Sequence, residues 1–464
     1  MGYKTEVLSG MTTGEKCLVI GSGISGLGSV ALLEHMGADV TLYDSDKKLT
    51  AADLQKKLPA QSKVFCVAGE LPEEIFNTTQ TVVLSPGVPT DIPLVNALRE
   101  RGASIIGEIE LGYREEKGRV IAITGTNGKT TTTTLAGEIM KAHLGAKNAF
   151  VVGNIGTPYT SECLKTTQDT VTVGEISSFQ LETIRDFHPA VSAILNITPD
   201  HLNRHHTMEN YVAAKENVAL NQGPEDICIL NYENDYTRDF GKRCPAKVVY
   251  FSSARELTEG YCLRGSKIVR NHNGHSDEIM DIHEDMNLVG LCNVENVMAA
   301  LAIAESMGVP LEISLEVIRK FKAVEHRIEF VATKQGVDYY DDSKGTNPDA
   351  AIQGIKAMNK PTVLIGGGYD KGSEYDEWIA SFEGKVKWLV LIGQTKEKIA
   401  ECARSHGFDK IRFAQNYGEA LRLCTELAKP GDAVLLSPAC ASWDMFKSYE
   451  ERGDIFKEYV KGLA

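Results

Sequence analysis

Two glycine-rich turns, each lying between a short apolar run and a helical stretch, constrain most strongly what this 464-residue chain can fold into. The first is Gly21-Ser22-Gly23-Ile24-Ser25-Gly26, and the second is Gly125-Thr126-Asn127-Gly128-Lys129-Thr130. A strand–glycine turn–helix unit is the phosphate-binding element of parallel α/β sheets. Its glycines let the backbone turn tightly and approach an anion, and the helix N-terminus offers free N–H groups. Around both turns the same alternation continues. Apolar runs at 17–20, 40–43, 64–67 and 82–85 are followed by a helical stretch at 94–101 and a short run at 104–106. A second series runs through 120–124, 150–152, 171–176, 193–197, 227–230 and 248–251, then an alanine-rich helix at 293–307. A third follows at 338–340, 363–365, 388–392 and 433–436. This pattern predicts an α/β protein with mostly parallel sheets. The expected domains are a Rossmann-like unit at 1–107, a P-loop mononucleotide-binding sheet at 108–323 and a Rossmann-like α/β unit at 324–464. The charged stretch "YREEKGR", 113–119, reads as a linker.

Composition excludes several partners. Lys plus Arg is 49 and Asp plus Glu is 63, a net charge of −14. Nucleic acid needs a basic surface and is disfavoured, whereas a nucleotide needs only local donors. The 10 cysteines form no C-x-x-C pair, so neither a structural zinc site nor a disulfide framework is expected, and a reducing cytoplasm is. The stretch "MGYKTEVLSGMTTGEK" has no apolar core of a signal peptide, and no apolar run is long enough for a membrane span.

The first loop matches the dinucleotide fingerprint, with Asp44 ending the next strand where a ribose-binding acid is expected. The second is a shortened P-loop, because Ile123 stands where the full motif has its first glycine. Its backbone N–H groups would cradle phosphates, Lys129 would reach the β- and γ-phosphates, and Thr130 would face Mg²⁺. Glu175 ends the strand of "VTVGEIS", on the edge where parallel-sheet sites lie, and a carboxylate there can take a Mg²⁺ ion. "NITPDHLNRHH" brings Asp200 and His201 to the same edge, and Tyr211 and Lys215 share a helix face at i, i+4. Taken singly, each of these reads equally as a surface acid, a hydrogen-bonded histidine or a solvated lysine. Their joint placement after a P-loop argues for phosphoryl transfer.

In order along the chain stand "TGTNGKTT", "GNIG" (153–156), "EISSFQLE" (175–182), "DHLNRH" (200–205), "YVAAK" (211–215), "NVENVMAA" (293–300), "EHRIE" (325–329) and "DSKGTN" (342–347). Together these motifs resemble the Mur ligase family, ATP-dependent amide-forming ligases of cytoplasmic peptidoglycan precursor synthesis. "GSGISG" with "YDSD", "SPGVP" (85–89) and "LLSPACASWDMF" (435–446) are most similar to its D-glutamate-adding branch. The resemblance implies that the first loop holds a UDP-sugar and not NAD. Ile24 and Ser25 would meet the diphosphate, Asp44 and Ser45 the uracil, and Gly87 would line the cleft. Asn154, Ser177 and Gln180 would lead the UDP-N-acetylmuramoyl-L-alanine chain to the P-loop. It further implies transfer of the ATP γ-phosphoryl group to the L-alanine carboxylate, then attack by D-glutamate on the acyl phosphate.

For the other sites the resemblance implies a two-Mg²⁺ centre. Thr130 and Glu175 would hold one ion, and His201 and a carbamylated Lys215 the second. Gly125, Thr126, Asn127, Gly128, Lys129, Asn293, Asn296, Arg327 and Asp342 would bind ATP. Lys344 and Thr346 would lie near the reacting groups, with D-glutamate held by Ser442, Tyr449 and Lys371. A monomer is expected. Two departures stand out: Cys292 where the family often has histidine, read as a small packed residue, and Gly345 where alanine is common, read as loosening its turn. Competing readings are a sister ligase or folylpolyglutamate synthase, an NAD-dependent oxidoreductase and a transport ATPase subunit. The oxidoreductase leaves the P-loop unexplained, and the chain has no L-S-G-G-Q-like signature. A carboxylate-binding serine and lysine suit L- or D-glutamate alike, so only the resemblance selects D.

Overall fold

A computed structural model describes residues 13–464. Residues 1–12, which carry most of the N-terminal stretch read above for a leader, lie outside the described residues. Three sheets follow one another along the chain. The first holds five parallel strands in the spatial order Phe65–Ala68, Asp39–Asp44, Lys16–Ile20, Thr81–Leu84, Ser104–Gly107. Its centre is continuously apolar, as a sheet covered on both faces requires.

The second sheet has nine strands. Seven are parallel, in the order Ala149–Gly153, Val171–Glu175, Arg119–Thr124, Val191–Ile194, Ile227–Asn231, Lys247–Ser252, Gly260–Arg264. The antiparallel strands Lys267–His272 and His275–Asp281 extend it at one edge. The sequence reading missed these last three strands. They are polar on the solvent side and joined by tight turns, so no long apolar run marks them. The third sheet adds the antiparallel strand Glu329–Lys334 to five parallel ones: Val337–Asp341, Ala433–Leu436, Thr362–Gly366, Val386–Leu391 and Ile411–Phe413. Among the described residues no helix is long and apolar enough to cross a membrane.

The stretch 113–119 is not an open linker. The helix Glu108–Glu115 runs into it, and Ile109, Leu111 and Tyr113 are buried in a core shared by the first two sheets. Tyr113 meets Phe187 edge to face at 5.4 Å. Within the stretch 113–119 Glu116 is buried and accepts from the hydroxyls of Tyr159 and Thr172, and the seam holds further buried acids. Glu110 is fully buried and accepts from the backbone N–H groups of Arg185, Asp186 and Phe187 and from Arg114 Nε. On the same seam Gly28 lies so close to Thr160 that an added Cβ would come within 2.7 Å of its hydroxyl.

Glu108 also lies in this seam, where its Oε1 accepts from Thr160 N and Oγ1 while Oε2 has no partner. Burial pushes its carboxyl up to about 6 against an ordinary 4.5. A raised folded-state value means the penalty for ionisation is absent below pH 4.5 and complete above about 6. Glu108→Gln is therefore expected to stabilise the protein at pH 7.5 by up to about 2 kcal/mol and little at pH 4.5. Urea denaturation midpoints at both pH values test this, and an equal effect at both would refute it.

The third unit meets the second through an apolar contact and a polar one. The helix Leu291–Ser306 is buried nearly all round and packs on the P-loop helix Lys129–Leu144. Its first turn reaches the third unit, where Gly290 abuts Ala357 and Cys292 packs beside the third core. The polar contact belongs to the site.

Candidate active site

The shortened P-loop bends as its glycines allow. Gly128 adopts φ 85°, and an added Cβ there would come within 2.3 Å of Asn296 Oδ1. Both the conformation and the close approach require glycine. Lys129 folds back on its own loop, donating to the carbonyls of Gly125 and Thr126 at 2.8 Å each. Lys215, fully buried on the helix Met208–Glu216, donates to the same Gly125 carbonyl at 2.7 Å. Two lysines on one carbonyl repel each other. Burial and the charge of Lys129 push Lys215 well below its ordinary value, and burial pushes Lys129 down too.

Glu175 ends its strand as expected. Asn154 Nδ2 donates to its Oε1 at 2.8 Å, while Oε2 is buried without a hydrogen-bond partner. His201 stands in the left-handed region at φ 54°, an uncommon conformation for a side chain of its size. Its ring lies edge-on to Phe179, with Nε2 3.6 Å from Asp200 Oδ2. Burial and the charges of Lys371, Lys129 and Lys215 outweigh Asp200 and push the imidazole down, toward its neutral, ligating form. The unmatched Glu175 oxygen fits a Mg²⁺ ion, whose preferred ligands are oxygens.

The third unit closes on this edge. Lys344 Nζ donates to Thr130 Oγ1 at 2.9 Å and lies 5.5 Å from the Tyr449 ring centre. Burial and the neighbouring Arg327 and Lys129 push Lys344 down to about 8. Asn347 donates to Asp200 at 3.0 Å, and Asp349 accepts from Asn127 and, at 2.8 Å, from Thr198. Asp349 and Asn347 escaped the sequence reading, since an acid and an amide in the first turn of a helix read as ordinary capping.

Two cavities flank the P-loop edge. One of about 510 Å³ is lined by Asn127, Gly128, Asn293, Asn296 and Arg327, five of the residues expected at ATP. Asn296 donates to Asn293 at 3.1 Å and accepts from Thr132. Asp342 lies fully buried, where Ser437 and the Ile328 N–H donate to it. Burial pushes its carboxyl up to about 7. The second cavity, about 340 Å³, gathers Thr346, Lys371, Ser442 and Tyr449, all four residues expected at the amino acid. Ser442 Oγ is buried with no partner.

The first loop is similarly built. Asp44 accepts from Ser22 N at 3.0 Å and Ser22 Oγ at 2.6 Å, and from Asp46 N at 3.1 Å. Burial pushes its carboxyl up, but these bonds and Lys57 hold it below its ordinary value. Ser22 and Lys57, whose Nζ donates to Ser22 Oγ at 2.8 Å, were not singled out in the sequence. Ile24 is exposed on the loop, Ser25 is half-buried, and Ser45 and Gly87 are open to solvent. Ser177 and Gln180 bond each other in a reciprocal helix cap. Arg204 donates to the Val88 carbonyl and to Glu182, fastening the "SPGVP" loop to the segment after His201. Gly345 corrects one expectation. An added Cβ would stand 2.6 Å from Asp342 Oδ2, so this glycine permits close packing and does not merely loosen a turn.

Comparison with known proteins agrees with this architecture. Residues 15–107 match the model of the Mur ligase MurD-like N-terminal domain, 123–304 the Mur ligase middle domain, and 326–440 the Mur ligase glutamate ligase domain. The chain is 53% identical over 446 residues to the UDP-N-acetylmuramoylalanine--D-glutamate ligase of Lachnospira eligens, covering 96% of this chain and 98% of that one. It is 54% identical over 450 residues to the ligase of that name from Lachnoclostridium phytofermentans, covering 97% and 98%. Among solved structures, the UDP-N-acetylmuramate-alanine ligase of Thermotoga maritima shares the fold with a TM-score of 0.59 at 18% identity, over 96% of this chain and 99% of that one. With all three domain models matched and near-full-length relatives above half identity, this chain belongs to the Mur ligase family.

Proposed function

We propose that this chain is an ATP-dependent, ADP-forming ligase that joins D-glutamate to the carboxylate of UDP-N-acetylmuramoyl-L-alanine in peptidoglycan precursor synthesis. The observation that carries the reading is Lys344. It hydrogen-bonds the P-loop threonine and lies against Tyr449 of the second cavity, so one cation bridges the phosphate and amino-acid sites. The relatives' names supply D-glutamate.

The three domains take 1–107, 108–323 and 324–464. The first holds the UDP-sugar: the N–H groups of Ile24 and Ser25 meet the diphosphate, Asp44 and Ser45 the uracil, and Gly87 leaves the cleft open. Asn154, Ser177 and Gln180 guide the L-alanine end to the P-loop. Residues 125–130 with Asn293, Asn296, Arg327 and Asp342 hold ATP.

The acceptor carboxylate needs no general base, but it is an anion approaching a polyanion. Lys129, Lys344 and Arg327 converge there, and burial together with the Arg327 charge lowers the proton affinity of both lysines, so the site favours the arrival of anionic substrates. Electrostatic stabilisation is then the main catalytic contribution. Thr130 and Glu175 would hold one Mg²⁺, and His201 with a carbamylated Lys215 a second; bound there, the ions screen the phosphates. Lys344 and Thr346 guide the incoming amine to the acyl phosphate. Lys371, Ser442 and Tyr449 hold the D-glutamate carboxylates. The enzyme works as a cytoplasmic monomer without nucleic-acid or membrane partners.

Phosphate release from ATP with UDP-N-acetylmuramoyl-L-alanine is expected with D-glutamate and not with L-glutamate, meso-diaminopimelate or L-lysine. Turnover with another of these would void the amino-acid assignment. Ser442→Ala removes a buried donor to a carboxylate. It should raise the D-glutamate KM about ten- to a hundredfold and leave the ATP KM unchanged. Equal effects on both would reject that role.

A further inference from the structure

At the edge of the third unit, away from the P-loop, three metal-ligating side chains converge. Asp376 begins the helix Asp376–Ala380, Cys402 lies on the helix Lys396–Ser405, and His406 follows directly. One ligand atom from each lies within 4.8 Å of the others. Cys402 and His406 are at i, i+4, which places both on one face. The imidazole is already set for a metal. Its Nδ1 lies 2.9 Å from the Cys402 carbonyl, to which Nδ1–H donates, and in the neutral ring that leaves Nε2 as the ligating nitrogen. Nε2 is the nitrogen that faces Asp376, 3.7 Å from Oδ1. The Cys402 thiol is half-buried beside the same ring, with Sγ 4.0 Å from Nδ1.

We propose that Asp376, Cys402 Sγ and His406 Nε2 form a binding site for a zinc-class divalent cation, with a fourth position open to solvent. Bond lengths of about 2.0–2.3 Å place the ligands of a tetrahedral zinc roughly 3.3–3.7 Å apart, so modest turns of exposed side chains suffice. The thiolate and imidazole select this class over Mg²⁺, which prefers oxygen ligands. Binding exchanges the thiol proton for the metal and releases it to solvent. An ion pair accounts for the 3.7 Å contact and the i, i+4 spacing for the thiol beside the ring; what the metal site adds is a reason for all three ligand atoms to meet in one place.

The site has a structural consequence. Lys398, on the helix of Cys402, donates to the Ser373 carbonyl at 2.8 Å and lies 3.9 Å from Asp370. One side of the loop carrying Lys371 is thus tied to that helix. A metal on Asp376 would tie its other end, restraining the loop that the function proposed above places at the amino acid.

The test uses the full chain, stripped of metal and without substrates, titrated with zinc alone by equilibrium dialysis. One equivalent should bind at micromolar zinc, and Cys402→Ala and His406→Ala should each weaken it about tenfold or more. With cobalt as probe, a thiolate-to-metal charge-transfer band should appear in the wild type and vanish in Cys402→Ala. Both metal-free variants should keep the wild-type circular-dichroism spectrum and thermal unfolding midpoint, which shows that they fold. No equivalent bound at micromolar zinc, or equal binding by wild type and both variants, overturns the site. Because the readout is metal binding, a failed ligase assay would leave this result standing.

Discussion

Lys215→Ala is expected to lower kcat by about 10²- to 10³-fold, the range found when one preorganised electrostatic group is removed. The side chain is fully buried and donates to the Gly125 carbonyl that Lys129 also uses. Burial and Lys129 push its amine well below its ordinary value. The neutral amine is the form that attacks CO₂, so the environment that disfavours an ammonium favours carbamylation. A carbamate formed there, its proton released to solvent, would be an anion beside Lys129 with oxygens to offer a metal. A short carboxylate such as acetate should therefore restore part of the lost activity in Lys215→Ala. Lys215→Arg places a permanent positive charge there, cannot form the carbamate, and should stay inactive with or without acetate. Unchanged kcat in Lys215→Ala would sink the assignment. Loss without rescue, together with a lowered melting temperature, would point to packing instead.

The phosphate edges were legible because their chemistry is local. A glycine turn between a strand and a helix is a contiguous pattern, and Gly128 stands where positive φ and close approach demand it. Glu175, His201 and Lys215 were legible as a set through their order along the chain, and the fold brings them to one sheet edge. The three antiparallel-edge strands between 260 and 281 were not, because half-exposed hairpins carry a weak apolar signal. The charged stretch 113–119 misled for the opposite reason. Polarity predicts exposure, yet Glu116 within it is buried, where the hydroxyls of Tyr159 and Thr172 donate to it. The contacts that close the third unit pair residues far apart in sequence, such as Asn127 with Asp349, and no single-sequence pattern encodes such a pair.

That closure explains why one chain carries two phosphate loops. The first two sheets share a continuous apolar core, so the first glycine loop and the P-loop are held by packing. The third unit instead meets the second through polar contacts of Lys344, Asn347 and Asp349 and a small apolar one at Gly290 and Cys292, which together break at lower cost than a continuous core. A reaction in which ATP and an amino acid enter separately needs one rigid seam and one that opens.

The rigid seam gives the second large effect. Glu110→Ala is expected to cost about 3–5 kcal/mol of stability, the scale for removing one partner of a buried charged network. Three successive N–H groups, of Arg185, Asp186 and Phe187, converge on its carboxylate, and Arg114 adds a charge-assisted bond at 3.1 Å. Removing the carboxylate leaves these donors buried without an acceptor and removes packing beside Tyr113 and Phe187. Glu110→Gln keeps one acceptor oxygen but places an NH₂ group against donors, so it should recover only part of the loss. Thermal and urea unfolding of the three proteins would measure this. The seam joins the first sheet to the P-loop sheet, so the destabilised variants should also lose cooperativity, with the first unit melting separately. A Glu110→Ala protein that unfolds in one transition at the wild-type midpoint would show that the shared apolar core alone holds the two sheets together.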